Sequence, residues 1–322
     1  MKPVDCLRAA FECRPPLNRV PLWELHFHCW DQASGKHLVI GREFEALSPQ
    51  EQERALDENA RIMEKVAKNY HYAALTIPDG YWETVPGVPS YYWLPEWARL
   101  ALAQRLSRST DFMVISACGG ILGMPGPENY VEFSYLLHDS PERIDEMAQL
   151  KYSRGIARAR QMRDAGVQAV YAAADLADNH GPYYSPRQME RYILPYLQRW
   201  AAAIREMGMY AILHTDGNIN PILDDLLGSG INALQAIDPV AGMDIRQVKG
   251  QAAGKVCVCG NIDCGLIFTG PPETIYLATR QLLLDCMPGG GFVLGASNAV
   301  QKETPIEHYV ALIDAWEDFG SY

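Results

Sequence analysis

Two short runs carry the residue types best suited to chemistry. In Trp23-Glu24-Leu25-His26-Phe27-His28 an extended backbone alternates faces with a period of two. Glu24, His26 and His28 then share one face, and Trp23, Leu25 and Phe27 share the other. Three ionisable groups on one face of a buried strand are costly unless they pair, bind a metal or lie near water. Either the histidines bond to backbone carbonyls with Glu24 balancing them, or the three groups serve a site. The second run is Ile212-Leu213-His214-Thr215-Asp216-Gly217-Asn218. It puts His214 and Asp216 on one face, ahead of a glycine that permits a sharp turn. Imidazole titrates near neutrality, so this pair suits metal binding or proton transfer. Asp216 capping the amides of a following helix is the structural alternative.

Other polar residues end apolar runs: Asp79, Asp175 with Asp178, Asp238, Asn261 with Asp263, and Ser297 with Asn298. Such residues also form turns, so each is a weaker candidate for substrate contact. Cys257-Val258-Cys259 sets two thiols on one strand face with Asn261 continuing it. Lacking a second cysteine pair, it reads as small-residue packing in a strand rather than a zinc ribbon. Aromatic residues crowd the loops: Trp30, Tyr81, Trp82, Tyr91, Tyr92, Trp93, Trp97, Tyr183 and Tyr184. Their faces suit a ring-shaped or methylated ligand, a lid, or a homodimer contact.

Elements that would position these groups alternate along the chain. Apolar runs at 21–28, 72–79, 111–119, 169–176, 209–217, 233–239, 255–263 and 291–298 read as strands. Helical segments lie between them, opened by Ser48-Pro49-Gln50-Glu51, Ser140-Pro141-Glu142-Arg143, Ser185-Pro186-Arg187-Gln188 and Thr304-Pro305-Ile306-Glu307. Serine or threonine before proline, with a polar residue at the third helical position, is a helix-start signal. Eight strands alternating with helices predict an α/β fold, a single-domain (β/α)8 TIM barrel over residues 1–322 with an N-terminal extension. A doubly wound sheet fits less well, because Cys29-Trp30-Asp31-Gln32 is no glycine-rich phosphate loop. A barrel puts its chemistry at the C-terminal ends of the strands, where the runs above end.

Composition narrows the function. The chain has 322 residues, 28 lysines and arginines, and 39 aspartates and glutamates, a formal charge of -11. With a pI near 5.2 it would repel nucleic acid and anionic lipid. At 48% hydrophobic and 21% charged residues it is of globular, not disordered or fibrous, composition. Met1-Lys2-Pro3-Val4-Asp5-Cys6-Leu7-Arg8 lacks the apolar stretch of a signal peptide, and no run reaches membrane-spanning length. Eight cysteines in a chain this long favour reduced thiols and a cytoplasmic setting.

Several stretches resemble the uroporphyrinogen decarboxylase superfamily, including its corrinoid-dependent methyltransferase branch, of the methyltransferase I kind found in O-demethylases. They are His214-Thr215-Asp216-Gly217-Asn218, Gly260-Asn261-Ile262-Asp263, Gly289-Gly290-Gly291-Phe292-Val293-Leu294 and Thr304-Pro305-Ile306-Glu307, with Pro21-Leu22-Trp23-Glu24 and Tyr183-Tyr184-Ser185-Pro186 earlier. The resemblance spans nearly the whole chain and implies a barrel with its pocket at the C-terminal face. Decarboxylases of this family carry an arginine-rich segment near the N-terminus, which a substrate with many carboxylates requires. Here 21–30 supplies glutamate, histidine and aromatics but no arginine. The methyltransferase branch implies a zinc ligand at His214. Asp216 stands in place of one cysteine ligand, and Ser297 or Asn298 in place of another. Oxygen ligands would make a bound Zn a harder Lewis acid, suited to activating an ether or amine.

The resemblance therefore implies transfer of a methyl group from a methoxylated or N-methylated small molecule to cob(I)alamin. No D-x-H-x-x-G cobalamin segment is present, so the cobalamin must come on a partner corrinoid protein. On this reading His214, Asp216, Glu24 and His26 are catalytic, and His214 and Asp216 hold the metal. His28, Asp79, Trp82, Tyr92, Trp93, Asp175, Tyr183 and Asn298 face substrate. Two alternatives remain besides decarboxylation: a metal-dependent amidohydrolase-like hydrolase, suggested by His26-Phe27-His28, and a non-catalytic binding protein.

Overall fold

The computed structural model describes residues 2–79 and 93–322, with the backbone alone of 83–85 and 88–89. Trp82 and Tyr92, with Tyr81 and Tyr91, lie outside the described residues. The strands used below are β1 (His26–Phe27), β2 (Ala74–Thr76), β3 (Met113–Ala117), β4 (Ala169–Ala173), β5 (Tyr210–Thr215), β6 (Ala233–Ala236), β7 (Cys257–Cys259), β8 (Phe292–Val293) and β9 (Ala299–Val300). The main helices are α1 (Pro3–Phe11), α2 (Pro49–Asn69), α3 (Glu96–Leu106), α4 (Tyr130–Asp139), α5 (Pro141–Asp164), α6 (Leu194–Glu206), α7 (Ile245–Ala252), α8 (Pro272–Cys286) and α9 (Ile306–Phe319).

The fold is α/β, built on a curled sheet of seven parallel strands in the order β8-β7-β6-β5-β4-β3-β2. Alternation along each strand sorts side chains into two layers. Ala74, Met113, Ile115, Tyr171, Ile212, Ala233 and both Cys257 and Cys259 point to the concave interior. Leu75, Val114, Val170, Leu213, Leu234 and Val258 pack outward against the helices. The thiols of Cys257 and Cys259 are thus interior packing groups. α1 lies across the N-terminal end of the interior, where Val4, Leu7 and Phe11 bury against the same layer. Each large side chain so buried contributes about 2 kcal/mol.

The run at 21–28 departs from a regular strand. Leu22 bridges Tyr72 on one side and Leu294 on the other, both in parallel sense. The chain then bends at Leu25, and only His26–Phe27 pair again, with β9. The cause is visible in the bonds: the Trp23 indole donates to Thr76 Oγ1, which donates to the Glu24 carbonyl oxygen. Backbone oxygen normally used by a neighbouring strand is taken by a side chain. The run at 291–298 likewise pairs regularly only at Phe292–Val293.

Helix starts behave as their residues dictate. Ser48 and Ser185 form reciprocal capping boxes with Glu51 and Gln188. Ser140 precedes α5 without a side-chain cap, and α9 begins one residue later than expected, with Pro305 at its N-cap. Inside α5, Gly155 faces the loop after β3. A Cβ there would lie 2.5 Å from Gly120 Cα. Gly155→Ala should therefore lower stability by about 1–3 kcal/mol in a urea melt, against the gain of about 1 kcal/mol that helix propensity alone predicts. A variant more stable than the wild type would show that the loop yields freely.

Candidate functional site

His214 is the penultimate residue of β5 and points inward, 7% exposed. The parallel register sets Gln235 of β6 directly beside it. Gln235 orients its amide by donating from Nε2 to the Ser297 carbonyl oxygen at 3.1 Å, which leaves Oε1 to accept from His214 Nδ1. The proton is thereby assigned to Nδ1, and Nε2 faces the site. Across from it lie Asp216 Oδ2 at 3.8 Å and Asp175 Oδ1 at 4.0 Å. One ligand atom from each of Asp175, His214 and Asp216 falls within 4.8 Å of the others, a geometry that could hold a metal ion.

Backbone shape holds the two carboxylates together. Asp175 Oδ1 accepts the Asp216 N–H at 3.0 Å, and Asn298 Nδ2 donates to Asp216 Oδ2. The segment bearing Asp175 passes between two glycines. A Cβ on Gly123 would sit 3.2 Å from Ala174 Cα and the Asp175 backbone, and one on Gly217 (φ +85°) would sit 2.3 Å from the Ala177 oxygen. Burial lifts the Asp216 pKa to about 6; the nearby His214 draws it down, Asp175 and Asp238 raise it, and the Asn298 bond lowers it.

The other expected residues divide into groups. His26 (8% exposed) enters the interior beside Tyr171, whose hydroxyl is 3.5 Å from its Nε2. Burial, with His28 and His214 close by, drops its pKa to about 3, so the ring is neutral at physiological pH. His28 lines a separate cavity of 160 Å³ with Trp30, His37 and Lys302, and burial lowers its pKa to about 4. Asp79 lies in an ion-pair knot with Arg99 of α3 and Arg158 of α5. Trp93 is half-buried and its carbonyl accepts the Gly41 N–H. Tyr183 packs edge-on to Tyr130 and Tyr184 and shares a hydrogen bond with Ser134. Asp178, Asp238 and Asp263 accept backbone N–H groups in turns, and Asn261 donates to the Ile237 oxygen. Trp30 and Trp97 pack against Phe27 and Phe44.

Glu24 corrects the expectation of a shared face. The bend at Leu25 separates it from His26 and turns it outward, 3% exposed, against α9. It accepts the Ala296 N–H and the Tyr309 hydroxyl, each at 2.9 Å, and the Tyr72 hydroxyl donates to Tyr309. Glu24 thus ties the first run to the segment leading to Ser297 and Asn298. Two residues escaped the sequence reading. Gln235 was visible only as a single polar residue inside Ala-Leu-Gln-Ala. Cys264 places its Sγ to accept the Asn298 N–H at 3.1 Å, with Ser297 Oγ 3.4 Å away.

An inward-facing histidine and two carboxylates beyond the C-terminal ends of parallel strands thus form, in an α/β protein, a group that could hold a metal ion. The chain belongs to the uroporphyrinogen decarboxylase (URO-D) family, whose sequence model matches residues 122–319. It is 25% identical over 195 residues to the uroporphyrinogen decarboxylase of Anaeromyxobacter dehalogenans, covering 61% of this chain and 54% of that one. The corresponding protein of Carboxydothermus hydrogenoformans is 24% identical over 200 residues, covering 61% and 53%. The chain thus spans about half the length of these curated relatives. Its fold matches a methyltransferase from Methanosarcina mazei over 99% of both chains, with a TM-score of 0.70 and 18% identity. Among the described residues no helix is long and apolar enough to cross a membrane.

The buried carboxyl gives a test. Burial outweighs its two donors and lifts the Glu24 pKa from 4.5 to about 8. Below 4.5 it is protonated in both folded and unfolded chains. Between there and about 8 only the unfolded chain loses the proton, so this group lowers stability as pH rises, by up to a few kcal/mol. Urea midpoints at about pH 5 and about pH 8.5 should fall less in Glu24→Gln than in the wild type. Parallel falls would show that Glu24 is ionised throughout.

Proposed function

We propose that this chain is a methyltransferase that moves a methyl group from an aryl methyl ether or an N-methylated small molecule to cob(I)alamin on a separate corrinoid protein. The observation that carries this reading is the tautomer-fixed His214 facing Asp175 and Asp216. The whole-length likeness in fold to a methyltransferase agrees with it. With Leu22 bridging Tyr72 and Leu294, we read the sheet as closed into a (β/α)8 barrel and residues 1–322 as one domain.

One imidazole nitrogen and two carboxylate oxygens form a donor set that zinc accepts, with a coordination position left for a ligand. Bound there, zinc would act as a Lewis acid on the oxygen or nitrogen that gives up its methyl group. The chain's own residues do the rest. Gln235 prevents the His214 ring from turning, and Asn298 with the Asp216 N–H fixes the two carboxylates relative to each other. His26, whose pKa burial lowers to about 3, stays neutral and offers a polar contact. On this reading Trp93 and Tyr183 supply ring faces for the donor. The decarboxylase reading meets an obstacle at Arg99 and Arg158, since Asp79 already engages both cations. A hydrolase of the amidohydrolase kind would need histidine where β6 carries Gln235.

Zinc titrated into metal-free protein should bind at one site. His214→Ala should abolish that site, and Gln235→Leu should weaken it by about 10–100-fold. Unchanged affinity in both would place any metal elsewhere.

The reaction itself is tested with purified chain, a reduced corrinoid protein and a panel of aryl methyl ethers and N-methyl compounds. Methylcobalamin absorbance should grow with at least one donor, and fall at least about a hundredfold in Asp216→Asn. Its absence with every donor, while uroporphyrinogen is decarboxylated, would replace transfer by the relatives' reaction.

A further inference from the structure

A cavity of about 720 Å³ opens between the loop after β3 and helices α4 and α5. None of Asp175, His214 and Asp216 lines it. Its apolar lining is Leu122, Met124, Phe133, Leu136, Met147 and Leu150. Of these, Met147 is 38% and Leu150 50% exposed, so large apolar side chains stand open to water there. Cations line the cavity beside these residues. Lys151, Arg154 and Arg158 follow one another at helical spacing along α5, and Arg143 stands two turns earlier.

The charges lining the cavity are not internally balanced. Glu132 is the carboxylate among the lining residues, against four cations. Arg158 reaches Asp79 at 3.2 Å and Glu96 at 3.9 Å. Arg143, Lys151 and Arg154 have no ion-pair partner among the described residues. In a chain of net charge -11, this concave cluster is a local reversal of sign. Low-dielectric walls concentrate such a field and draw in anions. The loop itself is held close to α5, since Gly155 leaves room for Gly120.

We propose that this cavity binds an anionic amphiphile, a small molecule with a carboxylate, sulfonate or phosphate head on an apolar ring or chain. Its volume falls within the range of small-molecule sites. Cations meet the head, and the apolar lining meets the body. The proposal stands independently of the methyl-transfer reading.

The test uses the full chain and 8-anilinonaphthalene-1-sulfonate, a fluorescent amphiphilic anion. The probe should bind saturably at one site and be displaced by decanoate. Decanol, which lacks the charge, and inorganic phosphate, which lacks the apolar body, should displace it at least about tenfold more weakly. The double variant Lys151→Gln, Arg154→Gln should weaken the probe at least about tenfold while its melting temperature matches the wild type, since both side chains are exposed. Arg143→Gln, on the preceding turns, gives a second variant should the first fail to fold. The proposal is overturned if binding is non-saturable, if decanol competes as well as decanoate, or if a folded variant binds the probe as the wild type does.

Discussion

The hydrogen bond from His214 Nδ1 to the Gln235 amide oxygen is the constraint on which the site rests. An imidazole free to turn would present either nitrogen to Asp175 and Asp216, and a metal or proton would then meet a mixed population. The bond exists because β5 and β6 pair in a register that sets Gln235 opposite His214, and because the Ser297 carbonyl decides which end of the amide is the acceptor. A slip of one residue would bring Leu234 or Ala236 alongside and leave the ring without its partner. One strand pairing and the segment carrying Ser297 thus converge on the orientation of one ring.

The carboxylates depend on a different device. Asp175 and Asp216 sit on successive strand-to-helix connections, and two anions do not approach without help. The Asp216 N–H, donated to Asp175 Oδ1, and the Asn298 amide, donated to Asp216 Oδ2, supply positive ends of dipoles between them. The glycines at 123 and 217 let the Asp175 segment pass where any side chain would intrude. Position is therefore set by backbone, and charge is moderated by two N–H groups.

The alternation of β-branched and apolar runs with capped helices made the α/β layering legible, because burial on both faces of a parallel sheet leaves an uninterrupted apolar signal. His214 and Asp216 were legible by their spacing: two residues apart at the end of such a run they share a face, and histidine, unlike aspartate, is no common turn former. Glu24 was misjudged, because period two holds only while backbone pairs with backbone. The bonds from Trp23 to Thr76 and on to the Glu24 carbonyl involve residues 53 and 52 positions apart, which no local pattern displays. Gln235 went unseen because its meaning lies in its neighbour across the sheet. Asp79 and the cations of α5 belong to tertiary charge placement, which spacing within one segment does not report.

Cys264 sharpens what kind of site this is. The family resemblance implies thiolate ligands where Asp216 and Ser297 or Asn298 stand, yet a thiol remains close by, accepting the Asn298 N–H. Burial pushes its pKa up to about 11, so it stays protonated and keeps its sulfur as an acceptor for the backbone. Asn298, in turn, directs its amide to Asp216 rather than offering its oxygen as a ligand. The sulfur thus supports Asn298, the residue that steadies the Asp216 carboxylate. If the group holds a cation, as the proposed function has it, nitrogen and oxygen face that cation while the Cys264 sulfur is engaged elsewhere. Such a donor set accords with the proposed activation of an ether or amine rather than of a thiol, since soft ligands are what a nucleophilic zinc thiolate needs.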